Sequence, residues 1–336
     1  MAIDMHAHWS PRGLAKASAA GRDWYGLRMI RDQGGVEHVA FGDKRLAFAA
    51  SESVLADPAA RAASRKAKEG IDFEALLLTG TFWNYHLDEA SAARFSREVN
   101  EEMAEVQKAY PDSFHGMAVL PMQHRELALR ELEDAAGRLG LRTIVIGTNV
   151  RGRNLDDPTV LPVIEAAARA GLSIVVHPTS WEKAGEERFP RYNFANSFGS
   201  PLEDSLAAMS IVYSGLLDRC PDTRIMFSHG GGWIHFGVGR LGLRYRQRPD
   251  ARPMAHPPAD YLARMYFDCL VHDKDSLALL KARAGADHIL IGTDYPGSGD
   301  IEGGAVNWIK TCGLFSEAEQ DMVLWQNATR FLGLKR

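Results

Sequence analysis

Apolar positions in this chain gather into short unbroken runs, separated by longer stretches with helical spacing. The strand-like runs cover 2–8, 74–79, 114–120, 142–148, 172–177, 224–229, 264–270 and 288–293. Runs that lack polar alternation fit strands covered on both faces, as in a parallel sheet. Between them lie helix-like stretches at 91–109, 124–139, 158–170 and 202–219. The third opens on Asp157-Pro158, which reads as an N-cap with proline in the first turn. Gly140 and Gly171 stand where helices should stop before the next strand. Eight β/α alternations without a composition break predict one domain over 1–336, a (β/α)8 TIM barrel.

The stretch 9–70 is long for a connection between a strand and its helix, and is rich in Gly, Arg and Ala. It reads as an insertion after the first strand, of the kind that forms lids or binding walls. Asn327 to Leu334 reads as a capped C-terminal helix. The chain shows no internal repeat and no low-complexity tract.

Candidate chemistry collects at the ends of the apolar runs. Ile3-Asp4-Met5-His6-Ala7-His8 places two histidines at i and i+2, on one face of a strand. Ile174-Val175-Val176-His177-Pro178, Ile225-Met226-Phe227-Ser228-His229-Gly230 and Ile289-Leu290-Ile291-Gly292-Thr293-Asp294 each end in a ligand-type residue followed by a turn signal. A His-x-His pair alone fits two unremarkable surface or core histidines. Four strand ends with matching chemistry point to a divalent metal site. These ends belong to the first, fifth, sixth and eighth strands. Only a closed barrel sets its first and last strands side by side, which disfavours the alternative of a doubly wound open sheet.

Composition narrows the class. With 336 residues, 46% apolar and 24% charged, the chain is ordinary for a globular protein able to bury a large core. A net charge of −4 argues against nucleic acid or a membrane surface as partner. The scattered cysteines Cys220, Cys269 and Cys312 suggest a reducing compartment without structural disulfides. Strand-like residues begin at the N-terminus with no leader pattern, and no apolar run approaches the length of a membrane span. A cytoplasmic protein is expected.

His6-x-His8, His177-Pro178, Ser228-His229-Gly230-Gly231-Gly232 and Gly292-Thr293-Asp294-Tyr295-Pro296 together resemble the amidohydrolase superfamily. More narrowly, they resemble the branch of aminocarboxymuconate-semialdehyde and γ-resorcylate decarboxylases. Tyr110-Pro111-Asp112, Phe114, Gly116, Gly237-x-Gly239-Arg240 and Asp268-Cys269-Leu270-Val271-His272-Asp273 extend the likeness over nearly the whole chain. The resemblance implies His6, His8, His177 and Asp294 as ligands of one divalent ion, zinc first and manganese second. It implies that His229 stands just outside the ligand set and acts on the metal's water. Arg240 resembles an arginine that holds a substrate carboxylate in the neighbouring subunit's site, which implies a homodimer or higher homo-oligomer. Binuclear relatives use a lysine at the end of the fourth strand. Here that strand reads Thr143-Ile144-Val145-Ile146-Gly147-Thr148-Asn149 and offers none.

The chemistry of the residues agrees. Three imidazoles and a carboxylate leave an open coordination position, as a catalytic site requires. Glycines at 230–232 leave backbone room for a ligand beside His229. Arg240 shares its stretch with Arg244, Arg246 and Arg248, which leaves a solvated basic face as the alternative to a substrate-carboxylate role. Arg45 is a candidate second carboxylate clamp, and Tyr85 the residue after the second strand expected to contact substrate. Trp181, Tyr192, Phe194 and Phe198 fit either a pocket wall or a dimer contact. His272 fits either a mouth-facing hydrogen-bonding group or structure. His38, His86, His115, His124, His235, His256 and His288 are expected to be structural or surface groups.

The function these readings imply is metal-dependent, non-oxidative decarboxylation of a small aromatic or conjugated carboxylic acid, with His229 and Asp294 managing the proton. A hydrolase of lactone, amide or related bonds on the same barrel is the alternative, followed by a hydratase. Intact residues at all four strand ends argue against a barrel that only binds or scaffolds.

Overall fold

The computed structural model describes residues 1–33, 35, 37–47, 57–248, 253–297 and 301–335. Eight parallel strands form the central sheet: β1 Ile3–Trp9, β2 Phe73–Leu78, β3 Phe114–Val119, β4 Thr143–Gly147, β5 Ser173–His177, β6 Arg224–Phe227, β7 Tyr266–Asp268 and β8 Ile289–Leu290. They are ordered in space as in sequence. β1 to β5, β7 and β8 are buried along their whole length, and β6 is buried apart from Arg224, which accounts for their unbroken apolar character.

The sheet closes on itself. Asp4 bridges Ile291 and Ala7 bridges Tyr295, both in parallel sense. Met5 N donates to Ile291 O at 2.9 Å, Asp294 N to His6 O at 2.9 Å and His8 N to Tyr295 O at 2.6 Å. The seam therefore sets Asp294 directly beside the His-x-His strand, as a (β/α)8 barrel requires.

Helices Glu89–Ala109, Arg125–Gly137, Leu161–Arg169, Ser200–Tyr213, Ile234–Gln247 and Lys274–Ala284 surround the barrel. Gly140 and Gly171 adopt positive φ of 69° each, as expected where a helix must turn back toward a strand. The third helix starts later than the sequence suggests. Asp157 accepts from Thr159 N at 2.8 Å and builds a turn that precedes the helix at Leu161. At the C-terminus the cap is Gly333, in the left-handed region, and Asn327 lies inside the helix Asn327–Leu332. The buried Asn327 amide instead donates to Ala286 O and Ile289 O, each at 2.8 Å, tying this helix to β8.

The segment after β1 is more structured than its composition suggests; residues 48–56 of it lie outside the described residues. It contains a helix Arg12–Ala19, an antiparallel sheet of Leu27–Arg31, Glu37–Phe41 and Lys44–Ala47, and a helix Pro58–Glu69. The last has legible ends: Asp57 accepts from Ala60 N at 2.9 Å, Pro58 opens the first turn and Gly70 closes it.

This helix also buries two arginines against the barrel seam. Arg61 donates to both oxygens of Glu74, at 2.9 and 3.0 Å, and to His8 O at 3.0 Å. Arg65 donates to Asp4 at 2.8 Å, Glu74 at 3.1 Å and Thr293 Oγ1 at 2.7 Å, with its guanidinium 4.2 Å from the Tyr295 ring centre. Opposite charges and bidentate geometry compensate each other here, the condition under which buried ions are tolerated.

Candidate metal centre and active site

β1 and β5 end at one mouth, and β8 leads into it through Ile291–Thr293, so His6, His8, His177 and Asp294 converge there. One ligand atom from each lies within 4.8 Å of the other three. The ring centres of His6 and His8 are 5.1 Å apart, and each is 4.9 Å from that of His177. His8 Nε2 approaches Asp294 Oδ1 at 2.7 Å, and His6 Nε2 lies 3.4 Å from the same oxygen.

Hydrogen bonds behind the cluster aim these groups inward. His6 Nδ1 donates to Asp268 Oδ2 at 2.7 Å, and His177 Nδ1 donates to Pro178 O at 2.8 Å, so each presents Nε2 to the centre. His6 Nε2 is buried and has no hydrogen-bond partner, which is the environment of a metal-ligating nitrogen. The residues at this mouth are suited to hold a divalent metal ion.

Protonation points the same way. Burial, reinforced by the neighbouring histidines, holds His177 well below the ordinary imidazole range and keeps it a free base. Burial also lowers His8, against the pull of Asp294. Burial would raise Asp294, but hydrogen bonds from His6 and His8 hold it well below the usual carboxylate range. Burial opposes charge on His6, yet Asp268 and Asp294 outweigh it and raise the group to about 10. The two carboxylates thus draw positive charge to the spot where the four groups meet, and a divalent ion supplies that charge in place of a proton.

The end of β4 is closely packed. A Cβ at Gly147 would stand 2.9 Å from Thr179 Cγ2 and 3.0 Å from Trp83 Cε3, so no longer side chain fits there. The Trp83 ring centre is 6.0 Å from that of His177.

His229 follows β6 in a tight turn, with φ of 51°. Its ring centre lies 5.2 Å from that of His6 and 5.4 Å from that of His177. Its Nδ1 is bonded to Asp204 Oδ2 at 2.9 Å. Burial lowers His229, but the Asp204 carboxylate overcomes this and raises it; burial in turn raises Asp204, to about 6, against the pull of His229. Contrary to the expectation of open space, the side-chain positions of the three glycines are filled. A Cβ would meet Val271 at 2.3 Å from Gly230, Phe267 at 2.6 Å from Gly231 and Pro201 O at 1.8 Å from Gly232. Positive φ at all three and close packing account for the glycine run.

A cavity of about 400 Å³ opens above the cluster, lined by His229, Asp294, Trp233, Phe236, Leu270 and His272 among others. His272 and Asp294 share with His229 a left-handed backbone, φ 54° and 56°. Strained non-glycine residues collect at functional sites when the surrounding fold holds them there.

The other sequence candidates sit apart from this cavity. Tyr85 is buried, its hydroxyl accepting from Gly147 N at 3.0 Å, and it lines a separate void of about 20 Å³ with Leu78, Trp83 and Asn84. Arg45 is exposed on Lys44–Ala47, opposite Ala40. Arg240 is exposed on the helix Ile234–Gln247, on the same face as the exposed Phe236 and Leu243. Of the aromatic loop, Trp181 is buried while Tyr192, Phe194 and Phe198 are exposed.

Sequence reading gave no role in the site to two acids, Asp268, quoted only as part of a motif, and Asp204. Asp268 ends β7 and takes His6 on one oxygen and Gly230 N, at 2.9 Å, on the other. Asp204 lies on the helix Ser200–Tyr213, in line with the buried Ala207, Ala208 and Ile211. An acid on the apolar stripe of a helix is the signal that could have found it.

A closed barrel with a three-histidine, one-aspartate cluster at its mouth defines a metal-dependent enzyme class. This chain belongs to the amidohydrolase family, whose sequence model matches residues 3–334. It is 34% identical over 270 residues to the 2-amino-3-carboxymuconate-6-semialdehyde decarboxylase of Dictyostelium discoideum, spanning 80% of this chain and 74% of that one. The crystal structure of 5-carboxyvanillate decarboxylase from Sphingomonas paucimobilis superposes with a TM-score of 0.83 at 24% identity, over 99% of both chains. That of dihydroxybenzoic acid decarboxylase from Polaromonas, solved with bound manganese and the inhibitor 2-nitroresorcinol, superposes with a TM-score of 0.79 at 22% identity, over 100% of this chain and 97% of that one.

Proposed function

We propose that this protein is a metal-dependent, non-oxidative decarboxylase of a small aromatic or conjugated carboxylic acid. The observation that carries this reading is the clustering of His6, His8, His177 and Asp294 at the barrel mouth, with Asp294 and His229 both lining one cavity, in a chain 34% identical over 270 residues to a decarboxylase. A divalent ion held by the four residues, zinc by preference with manganese the second choice, supplies charge that polarises an oxygen of the substrate.

The chain's own groups do the rest. His229, which lines the cavity with Asp294 and is raised by Asp204 against its burial, is placed to take a proton from solvent and hand it to the carbon that carries the carboxylate, while Asp294 stays ionised. The C–COO⁻ bond then breaks, CO2 leaves, and the electron pair remains on the now protonated carbon framework. Trp233, Phe236 and Leu270 contribute apolar surface to the cavity lining, which suits a flat ring.

Arg240 is assigned to the substrate carboxylate of a neighbouring subunit. Support comes from its position on an exposed face with Phe236, which is 88% exposed, and Leu243. That makes the working form at least a homodimer. Among the described residues no helix is long and apolar enough to cross a membrane, and Cys220, Cys269 and Cys312 are all unpaired and buried. Both observations fit work in the cytoplasm.

The test is CO2 release by the metal-loaded protein against hydroxybenzoates, carboxymuconate semialdehydes, lactones and amides. Release from an acid of the first two groups, lost in His229→Ala with metal retained, is expected. Turnover of a lactone or amide without CO2 would replace this reading with the hydrolase that the same residues also allow.

A further inference from the structure

We propose that Asp204 is the positioning residue of His229, selecting the ring orientation and tautomer in which Nδ1 carries the proton and Nε2 faces the cavity. The inference rests on the decarboxylase reading for its kinetic consequence, but not for its geometry.

His229 cannot take its orientation from a strand. β6 ends at Phe227, and His229 lies two residues beyond it in a tight turn at positive φ, followed by three glycines. Its ring therefore needs an external hold, and one is present. Asp204 Oδ2 meets His229 Nδ1 at 2.9 Å, with the carboxylate fully buried and the imidazole 20% exposed toward the mouth. The ring lines the cavity, and Nε2 has no protein partner among the described residues.

The support behind Asp204 is rigid. Glu203, its neighbour on the same helix, is bonded to Thr148 Oγ1 at 2.9 Å, Asn149 Nδ2 at 2.7 Å and Ala184 N at 2.7 Å. Ser205 Oγ accepts from Trp233 N at 2.7 Å, which fastens the same turn to the loop that follows His229. The first turns of this helix are thus pinned to both loops that flank the histidine.

A carboxylate only accepts, so it leaves Nδ1 no role but donor. Asp204 Oδ1 is buried and has no hydrogen-bond partner. A buried carboxylate oxygen left unpaired costs stability, and the hydrogen bond that Asp204 makes is the one to His229. An amide at the same place would accept from one tautomer and donate to the other. Substitution by asparagine therefore separates tautomer selection from mere space filling.

The measurement uses full-length protein loaded with zinc and labelled with 15N-histidine, the His229 signals being identified by comparison with His229→Gln. In wild type they should report Nδ1–H, and in Asp204→Asn a mixture of both tautomers. Metal content and melting temperature should match wild type, while kcat falls at least about 10²-fold with KM changed less than about threefold. A wild-type His229 protonated on Nε2 and not on Nδ1 overturns the proposal outright, whatever the variant does. An Asp204→Asn protein with an unchanged tautomer, or with kcat within about threefold of wild type, makes Asp204 a packing group only. Absence of any CO2 release by wild type would count against the proposed function, and the tautomer measurement would still decide the role of Asp204.

Discussion

Asp268 joins two parts of the site with one carboxylate: Oδ2 takes His6 Nδ1 at 2.7 Å, and Oδ1 takes Gly230 N at 2.9 Å. The histidine of β1 and the loop that carries His229 therefore share a single anchor at the end of β7. Leu270 N, at 3.1 Å on the same Oδ1, completes it.

This anchor predicts a graded loss of metal. Outer carboxylates that orient ligating histidines typically contribute 10–100-fold in metal affinity. Asp268→Asn should keep the fold and bind the ion about 10–100-fold more weakly, while His177→Ala should fail to retain it. Metal analysis after dialysis against a graded chelator measures both. Wild type should hold about one ion per chain; two ions, or full occupancy in His177→Ala, would refute the single-metal assignment.

The arginines at the seam predict a large stability effect away from the chemistry. Arg65→Met leaves Asp4 and Glu74 buried with one cation fewer, and breaking a buried pair from one side costs about 3–5 kcal/mol. Denaturant unfolding of wild type and variant checks it. A change below about 1 kcal/mol would mean that Arg61 alone compensates both acids.

His115 predicts how stability responds to acid. Burial pushes this imidazole down to about 4, against 6.5 when exposed, and its Nε2 is bonded to Thr143 Oγ1 at 2.9 Å. The folded state favours the neutral ring. Its contribution is therefore complete above pH 6.5 and is lost as pH falls toward 4, by up to about 3 kcal/mol. His115→Gln should be less stable than wild type near neutrality but lose less stability over that interval. Unfolding free energies at pH 7 and pH 4.5 for both proteins test the slope; parallel curves would show that His115 does not contribute to it.

The assignment of Arg240 to a neighbouring subunit predicts complementation. His229→Ala and Arg240→Ala should each be inactive alone and recover part of the activity when mixed under conditions of subunit exchange. Exchange shown by mass labelling without recovery would place Arg240 outside the neighbour's site.

The sequence by itself determined the barrel and its strand-end chemistry. Each strand is a local apolar run buried on both faces, so its pattern does not depend on what lies next to it. A histidine or aspartate at the end of such a run is placed at the mouth by closure alone, which is why His6, His8, His177, His229 and Asp294 were legible as candidates, while the choice of four among them as ligands came from the family resemblance. Strand ends were less legible: β7 and β8 are shorter than their apolar runs, because the ladder stops where the chain bends into its loops. Only the tertiary structure decided which acids stand behind the histidines. Asp268 reaches His6 across 262 positions and Asp204 reaches His229 across 25, and no local pattern encodes a pairing between separate elements. The same holds for Tyr85, whose place after β2 reads equally as mouth or core until β4 brings Gly147 N to its hydroxyl. Local periodicity sets which face of an element is buried; what that face meets is fixed only when the barrel closes.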